Sequence, residues 1–345
     1  MKNLLIINHT MDAGSQVLSH QSNVAVAIAP YFKSVIVITG HYDGSLLPSN
    51  VLVYSTSWNQ KQRLRSIFAF YKTLIFVMKR HKISVVFSHM ASYKALLVTP
   101  VATIMRWKQF VWYAHASYSF HLRLLSLFRV RFISSTVESF PKRNGLSVEF
   151  IGQGVDPLKF PFRQAYTPTL TRFVHIGRFD PSKKVDEILR ALSVLRKDFE
   201  EITFTNFGNS STEAYVRWSE ELRKGLDDEE YGWITLNPGV LRSEVSFTLL
   251  KYDVFVHAFN GSLDKILIEA AMSGIPIITT NEGFIRMFGS WGVYNGKKVS
   301  IEEEYGALVE YPRVDIEERL VSIRNLAVKM HSEVVWVQKL VEAIQ

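Results

Sequence analysis

The 345-residue chain contains no cysteine. Disulfides and thiolate-held metals are thereby excluded, and a reducing compartment fits the composition. No apolar run reaches the roughly 20 residues that span a bilayer. The longest apolar helix candidate, residues 66–78, carries Lys72 within it. The first residues lack the long apolar segment and small-residue cleavage site of a signal peptide, so residues 2–8 read as a first buried strand. No low-complexity stretch or solenoid-period repeat is present. Acid is scarce in one half only. Residues 1–160 hold 18 Lys+Arg against 5 Asp+Glu, a surplus of 13 positive charges; residues 161–345 hold 22 against 27, a surplus of 5 negative charges. Such a split points to a polyanionic partner for the first half. No nucleic-acid recognition motif accompanies the charge, which leaves an anionic membrane surface as the better candidate.

What is present suits two domains. The chain is 47% hydrophobic, enough for two substantial cores. Residues 4–8, 34–39, 51–54, 85–88, 110–113, 131–134 and 148–151 read as short apolar strands. Helical stretches such as 20–31 and 64–80 separate them. The pattern breaks near Pro157, Pro161 and Pro168, where the spacing places a domain boundary at 163/164. Alternation then restarts with strands at 172–176, 202–207, 234–237, 254–257 and 276–279. Helices at 185–198, 212–225, 243–252 and 265–273 lie between these. Strand–helix alternation predicts an α/β chain of two doubly wound, Rossmann-like domains, with parallel sheets facing across a cleft. A last helix within 331–345 is expected to cross back to the first domain.

Two segments of the second half carry charge at strand ends. In GRFDPSKKVDEILRAL, Gly177 permits a tight turn after a strand, and Arg178 and Lys183 follow it. Two fixed cations there suit a diphosphate, whose departure they would stabilise; a solvated basic loop is the other reading. In GSLDKILIEAAMSG, Gly261 and Ser262 precede a helix. Asp264, Lys265 and Ile266 open it, and Glu269 follows one turn on. A helix N-terminus suits an anion, and a carboxylate one turn on suits ribose hydroxyls. An ordinary amphipathic helix explains the same letters.

Together these segments resemble the C-terminal half of glycosyltransferase family 4, the retaining "glycosyl transferases group 1" type with the GT-B fold. That family shows G-R-x-x-x-x-K after a strand and, about 80 residues later, a glutamate leading into E-A-M-x-x-G-x-P-V-I. Here the latter is EAAMSGIPII, from Glu269 to Ile278. Asn206-Phe-Gly208 resembles the family's strand-end glycine, and NPGV, with Gly239 and Val240, its base-contacting loop. Gly14 and Ser15 match a glycine loop near the donor phosphate. His115, just past a strand, matches a histidine facing the donor sugar; a core or surface histidine is the alternative. IGQGVD, residues 151–156, resembles the segment that closes the first domain. One departure stands out: Gly261 occupies the place of the signature's first glutamate, which touches the donor sugar. A subset of the family reads G-S-x-D-K there, with Asp264 able to supply the missing contact.

The resemblance implies a metal-independent hexosyltransferase without a bound cofactor. A UDP- or GDP-linked sugar is the donor, and a glycan or lipid-linked acceptor receives it. Arg178, Lys183, Glu269 and His115 are the candidate catalytic residues. The leaving phosphate oxygen itself would help deprotonate the acceptor, so no dedicated base is needed. A bacterial surface-polysaccharide or glycolipid setting follows by analogy, in the cytoplasm and peripheral on the inner membrane face. Segments 61–82 and 121–132, basic and apolar together, suit an anionic membrane; a buried helix with solvated ends is the alternative. Two further functions stay open. One is a nucleotide-sugar epimerase or phosphorylase on the same fold. The other is a non-catalytic nucleotide-sugar-binding partner subunit.

Overall fold

The computed structural model describes residues 2–12, 19–141, 145–163, 169–210, 212–224, 232–293, 296 and 299–345. Two compact units make up the chain: residues up to Gly152 together with Val334–Gln345, and Gln153–Glu333.

In the first unit the strands are β1 (Asn3–Ile7), β2 (Thr10–Met11), β3 (Ser34–Thr39), β4 (His41–Tyr42), β5 (Val51–Ser55), β6 (Ile83–His89), β7 (Lys108–Trp112), β8 (Val130–Ser134) and β9 (Val148–Phe150). Seven of them form one sheet in the order β5-β3-β1-β6-β7-β8-β9. Every pairing in it is parallel. β2 and β4 make a separate two-stranded ladder. Helices α1 (Ser19–Ile28), α2 (Arg63–Arg80), α3 (Ser92–Ile104) and α4 (Phe120–Leu125) connect the strands. Strands buried on both faces read as unbroken apolar runs rather than alternating ones. β1 shows why. Leu4 and Ile6 pack with Ala25 and Ile28 on one face, while Leu5 and Ile7 pack with Phe70, Leu74 and Val77 on the other. Pro30 turns the end of α1 into a 3-10 turn, Ala29–Tyr31, so this helix is shorter than its apolar pattern suggests.

The second unit has strands β10 (Arg172–Ile176), β11 (Thr203–Phe207), β12 (Ile234–Asn237), β13 (Val254–His257) and β14 (Ile277–Thr279). Their order is β12-β11-β10-β13-β14, again all parallel. Its helices are α5 (Val185–Leu195), α6 (Glu213–Lys224), α7 (Val245–Leu249), α8 (Lys265–Ser273), α9 (Glu282–Phe288), α10 (Ile301–Glu310) and α11 (Arg313–His331). Phe173 on one sheet face joins a core with α5 and α10, and Val174 on the other face joins a core with α8 and α11.

The units divide at Gly152/Gln153 rather than at 163/164. Backbone hydrogen bonds explain the difference. Val155 donates to the carbonyl of His331, and Glu333 donates to that of Val155. Phe160 is buried in the second core, and the Arg163 N–H donates to Ser273. The prolines therefore bend a segment already tied to the second unit. α12 (Glu333–Ile344) lies almost wholly in the first unit, where Trp336, Val337, Leu340, Val341 and Ile344 enter the β1 core.

Candidate functional site

Because the second sheet is wholly parallel, five strands deliver their carboxyl ends, and the turns that follow, to one edge. Glycines let those turns nest. The Gly177 N–H donates to Phe207 O at 3.0 Å, and the Gly208 N–H donates to Asn237 O at 3.1 Å. A Cβ on Gly208 would run into the Gly177 carbonyl. Gly239 donates to Asn209 Oδ1 at 2.8 Å. Val240 packs beside the α8 core, as does Ile266.

The turn before α5 aims one lysine inward and the next outward. Asp180 caps it by accepting from Ser182 N at 3.0 Å, and Lys184 takes a left-handed φ of 56°. Lys183 is buried as a result, with its ammonium donating to Asp264 Oδ2 and lying 4.1 Å from the Phe259 ring centroid. Lys184 pairs with Glu187 at the surface. Arg178 is the outward member of the predicted cation pair: its side chain is exposed, and its Nε lies 3.7 Å from Asp180.

Asp264 meets a second partner, His257, at the end of β13. His257 is fully buried, with Nε2 at 3.1 Å from Asp264 Oδ2 and Nδ1 at 3.1 Å from Thr279 Oγ1. Burial works to raise the Asp264 pKa. The His257 hydrogen bond and the Lys183 charge outweigh it, and the carboxyl is held below its ordinary range. Burial pushes His257 down, against the pull of Asp264. His175, on β10, falls to about 3 through burial and the neighbouring His257.

The loop 259–262 is fixed from outside. Asn281 Nδ2 donates to Phe259 O at 2.9 Å and to Ser262 O at 3.3 Å. A Cβ on Gly261 would collide with the Phe259 ring, so the ring occupies the space in which a glutamate side chain at 261 would begin. Lys265 is drawn down to about 8 by burial and then by the Arg242 charge, with Glu333 opposing.

Glu269, the carboxylate expected to hold ribose hydroxyls, has a partner within its own unit. It is fully buried, and the Arg242 guanidinium grips both its oxygens, one at 2.7 Å. A carboxylate this deep needs a cation, and the turn after β12 supplies one. Sequence reasoning missed Arg242, His257, Phe259 and Asn281. For His257, a polar residue closing the apolar strand VFVH was the available signal.

In the first unit, His115 lies past β7, exposed and edge-on to the Tyr113 ring at 5.5 Å. Gly14 and Ser15 lie outside the described residues. The strand ends there instead bring together Lys94 and His9. Lys94 is buried, with Nζ donating to Asn8 O at 2.8 Å and 5.1 Å from the Trp58 ring centroid. Burial lowers its pKa to about 8, and burial with the Lys94 charge lowers that of His9. Among the described residues, no group of His, Asp and Glu is placed to hold a metal ion, and no helix is long and apolar enough to cross a membrane.

Residues 171–303 match the family described as glycosyl transferases group 1. A search of curated proteins gives no match. Among solved structures, sucrose-phosphate synthase from Thermosynechococcus elongatus superposes with a TM-score of 0.76 at 11% identity, covering 99% of this chain and 98% of that one. HepE from Anabaena, crystallised with UDP, gives 0.70 at 12% identity with 99% of each chain covered. WaaG, a glycosyltransferase involved in lipopolysaccharide biosynthesis, gives 0.67 at 13% identity with 99% of each chain covered. The chain thus has the GT-B fold, and its residues 171–303 match the glycosyl transferases group 1 family.

Proposed function

We propose that the chain is a retaining, metal-independent hexosyltransferase of family 4. It moves a sugar from a UDP- or GDP-linked donor to a glycan or lipid-linked acceptor. The observation that carries this reading is Lys183. It is a buried cation aimed at the strand-end turns and held there by a carboxylate that a diphosphate can replace. Relatives of the same fold crystallised with UDP and with UDP-glucose support a nucleotide-sugar donor.

In this reading the donor's diphosphate takes the Lys183 ammonium from Asp264, and Arg178 swings from Asp180 to the same charge. Fixed donors aimed at charge that develops in the transition state are the largest catalytic term available without a general base. The departing phosphate oxygen accepts the acceptor's proton. Glu269 holds ribose hydroxyls once Arg242 turns aside, and Gly239 and Val240 flank the base. His115 is the remaining candidate catalytic residue. Incubation of the purified chain with UDP- and GDP-sugars, followed by analysis for transfer or slow donor hydrolysis, tests the reading. Binding without either reaction would favour a non-catalytic partner subunit, the alternative that Gly261 keeps open.

A setting on the inner face of a membrane, near a lipid-linked acceptor, belongs to the same proposal. α2 supports it. Its inner face buries Ser66, Phe70, Leu74 and Val77, while Leu64, Phe68, Ile75 and Phe76 stay exposed. Arg65, Lys72, Lys79 and Arg80 interleave with the exposed apolar residues, and the helix has no acid. An outward apolar–basic stripe of this kind matches an anionic bilayer surface.

A further inference from the structure

We propose that His257 is a positioning residue for the donor's sugar, acting through Asp264. The proposal rests on the donor reading above. Asp264 occupies the N-cap position of α8, where an aspartate ordinarily accepts from the helix's first free N–H groups. Here its side chain makes no cap hydrogen bond. The carboxylate is turned away from that stabilising role. Local rules broken in this way are expected where function needs the side chain elsewhere.

A chain of hydrogen bonds fixes where it goes. The ionised Asp264 carboxylate can only accept, while Thr279 Oγ1, which accepts from the Asn281 N–H at 3.1 Å, is able to donate to His257 Nδ1, also 3.1 Å away. His257 must then carry its proton on Nε2 and donate to Asp264 Oδ2 at 3.1 Å. Lys183 reaches the same oxygen. Both partners therefore bind Oδ2, and among the described residues no hydrogen bond reaches Oδ1. The Asp264 side chain keeps 22% of its surface exposed, whereas His257 keeps none. An ionised carboxylate with one oxygen anchored and one free suits a sugar hydroxyl, which can donate to it. The neighbouring Gly261 has no side chain to do so, and Phe259 fills the space beside it. His257 touches no substrate in this scheme; it sets the carboxylate's angle.

The test is titration calorimetry with UDP, UDP-glucose, UDP-N-acetylglucosamine, GDP and GDP-mannose. It uses the wild-type chain, His257→Leu, His257→Gln and Asp264→Asn. His257→Leu is expected to weaken binding of the preferred nucleotide sugar by about tenfold relative to its nucleoside diphosphate. His257→Gln, which keeps a donor near the Nε2 position, is expected to restore most of the loss. Asp264→Asn is expected to reproduce it. In transfer assays the His257→Leu defect is expected to fall on the donor KM more than on kcat. Equal weakening of nucleotide and nucleotide sugar, or none of either, would overturn the assignment while leaving the donor reading intact. Should His257→Leu not fold, the Gln and Asn variants decide alone: a shared loss of both ligands counts against the proposal. No nucleotide binding by the wild-type chain would remove the donor reading and this inference together.

Discussion

Lys183 and Asp264, 81 residues apart in sequence, form a partly buried ion pair at the carboxyl edge of the second sheet. Neither partner is fully sealed: the lysine side chain keeps 9% of its surface exposed and the aspartate 22%. In the proposed function this pair exchanges partners, since an incoming diphosphate offers Lys183 a stronger one. Lys183→Ala is therefore expected to cut transfer by about 10²–10³-fold. Steady-state kinetics with a saturating acceptor check this, and unchanged turnover would contradict it.

The buried histidines make the second unit acid-sensitive. The pKa of His175 falls to about 3 in the folded chain, and that of His257 is lowered as well. An unfolded histidine titrates near 6.5. Between those values the unfolded chain binds protons that the folded chain refuses, so stability is complete above about pH 6.5 and falls as the pH drops. Each histidine contributes a slope of up to about 1.4 kcal/mol per pH unit. Asp264, whose pKa is depressed, adds its own loss only below about pH 4. Denaturant unfolding at pH 7, 6 and 5 is expected to show the decline, flattened in His175→Leu. Equal slopes in the two proteins would count against it.

Arg242 and Glu269 are unequal partners. Glu269 is fully buried, whereas the Arg242 side chain remains 43% exposed. Deleting the arginine strands a buried charge; deleting both does not. Arg242→Leu is expected to be less stable than the double variant Arg242→Leu/Glu269→Leu. A single variant as stable as the double would show that the pair does not hold Glu269.

Two glycines are required by close approach rather than by backbone angle. Gly208→Ala would push a methyl into the Gly177 carbonyl, and Gly261→Ala would push one into the Phe259 ring. Overpacking of this kind costs about 1–3 kcal/mol. Gly208→Ala is expected at the upper end, because backbone cannot step aside, and Gly261→Ala lower, because a ring can. Their melting temperatures give the order, and a reversed order would contradict the packing.

Much of this was legible in the letters, for physical reasons. Parallel strands buried on both faces leave continuous apolar runs, so β1, β3, β6, β10 and β13 could be read directly. The turn chemistry of Gly177 marked one strand end, and resemblance to the family pointed to Gly208 and Gly239. Lys183 and Asp264 were both singled out, but not their pairing. Partnerships at long range were invisible: Arg242 with Glu269 spans 27 residues, and Asn281 with Phe259 spans 22. α10 and α11 escaped notice because charged residues crowd their outer faces. Yet Ile316, Leu320, Ile323 and Ala327 keep helical spacing inside α11. The boundary was misplaced because prolines mark bends, whereas membership of a unit follows from hydrogen bonds such as Val155 to His331.

The outer stripe of α2 can be tested apart from the chemistry. Leu64→Ser, Phe68→Ser and Ile75→Ser together alter only exposed positions, so each is expected to change stability by less than about 0.5 kcal/mol. Flotation with vesicles containing phosphatidylglycerol is expected to fall sharply, with little recovery of either protein on neutral vesicles. Equal recovery of wild type and triple variant on anionic vesicles would defeat the membrane role.

The most direct measurement is calorimetric titration of UDP and GDP into the wild-type chain and into Lys183→Ala. One of the two nucleotides is expected to bind the wild-type chain at a single site, and the variant to bind it at least tenfold more weakly. Heat that is absent for both nucleotides, or identical affinity in the two proteins, would contradict it.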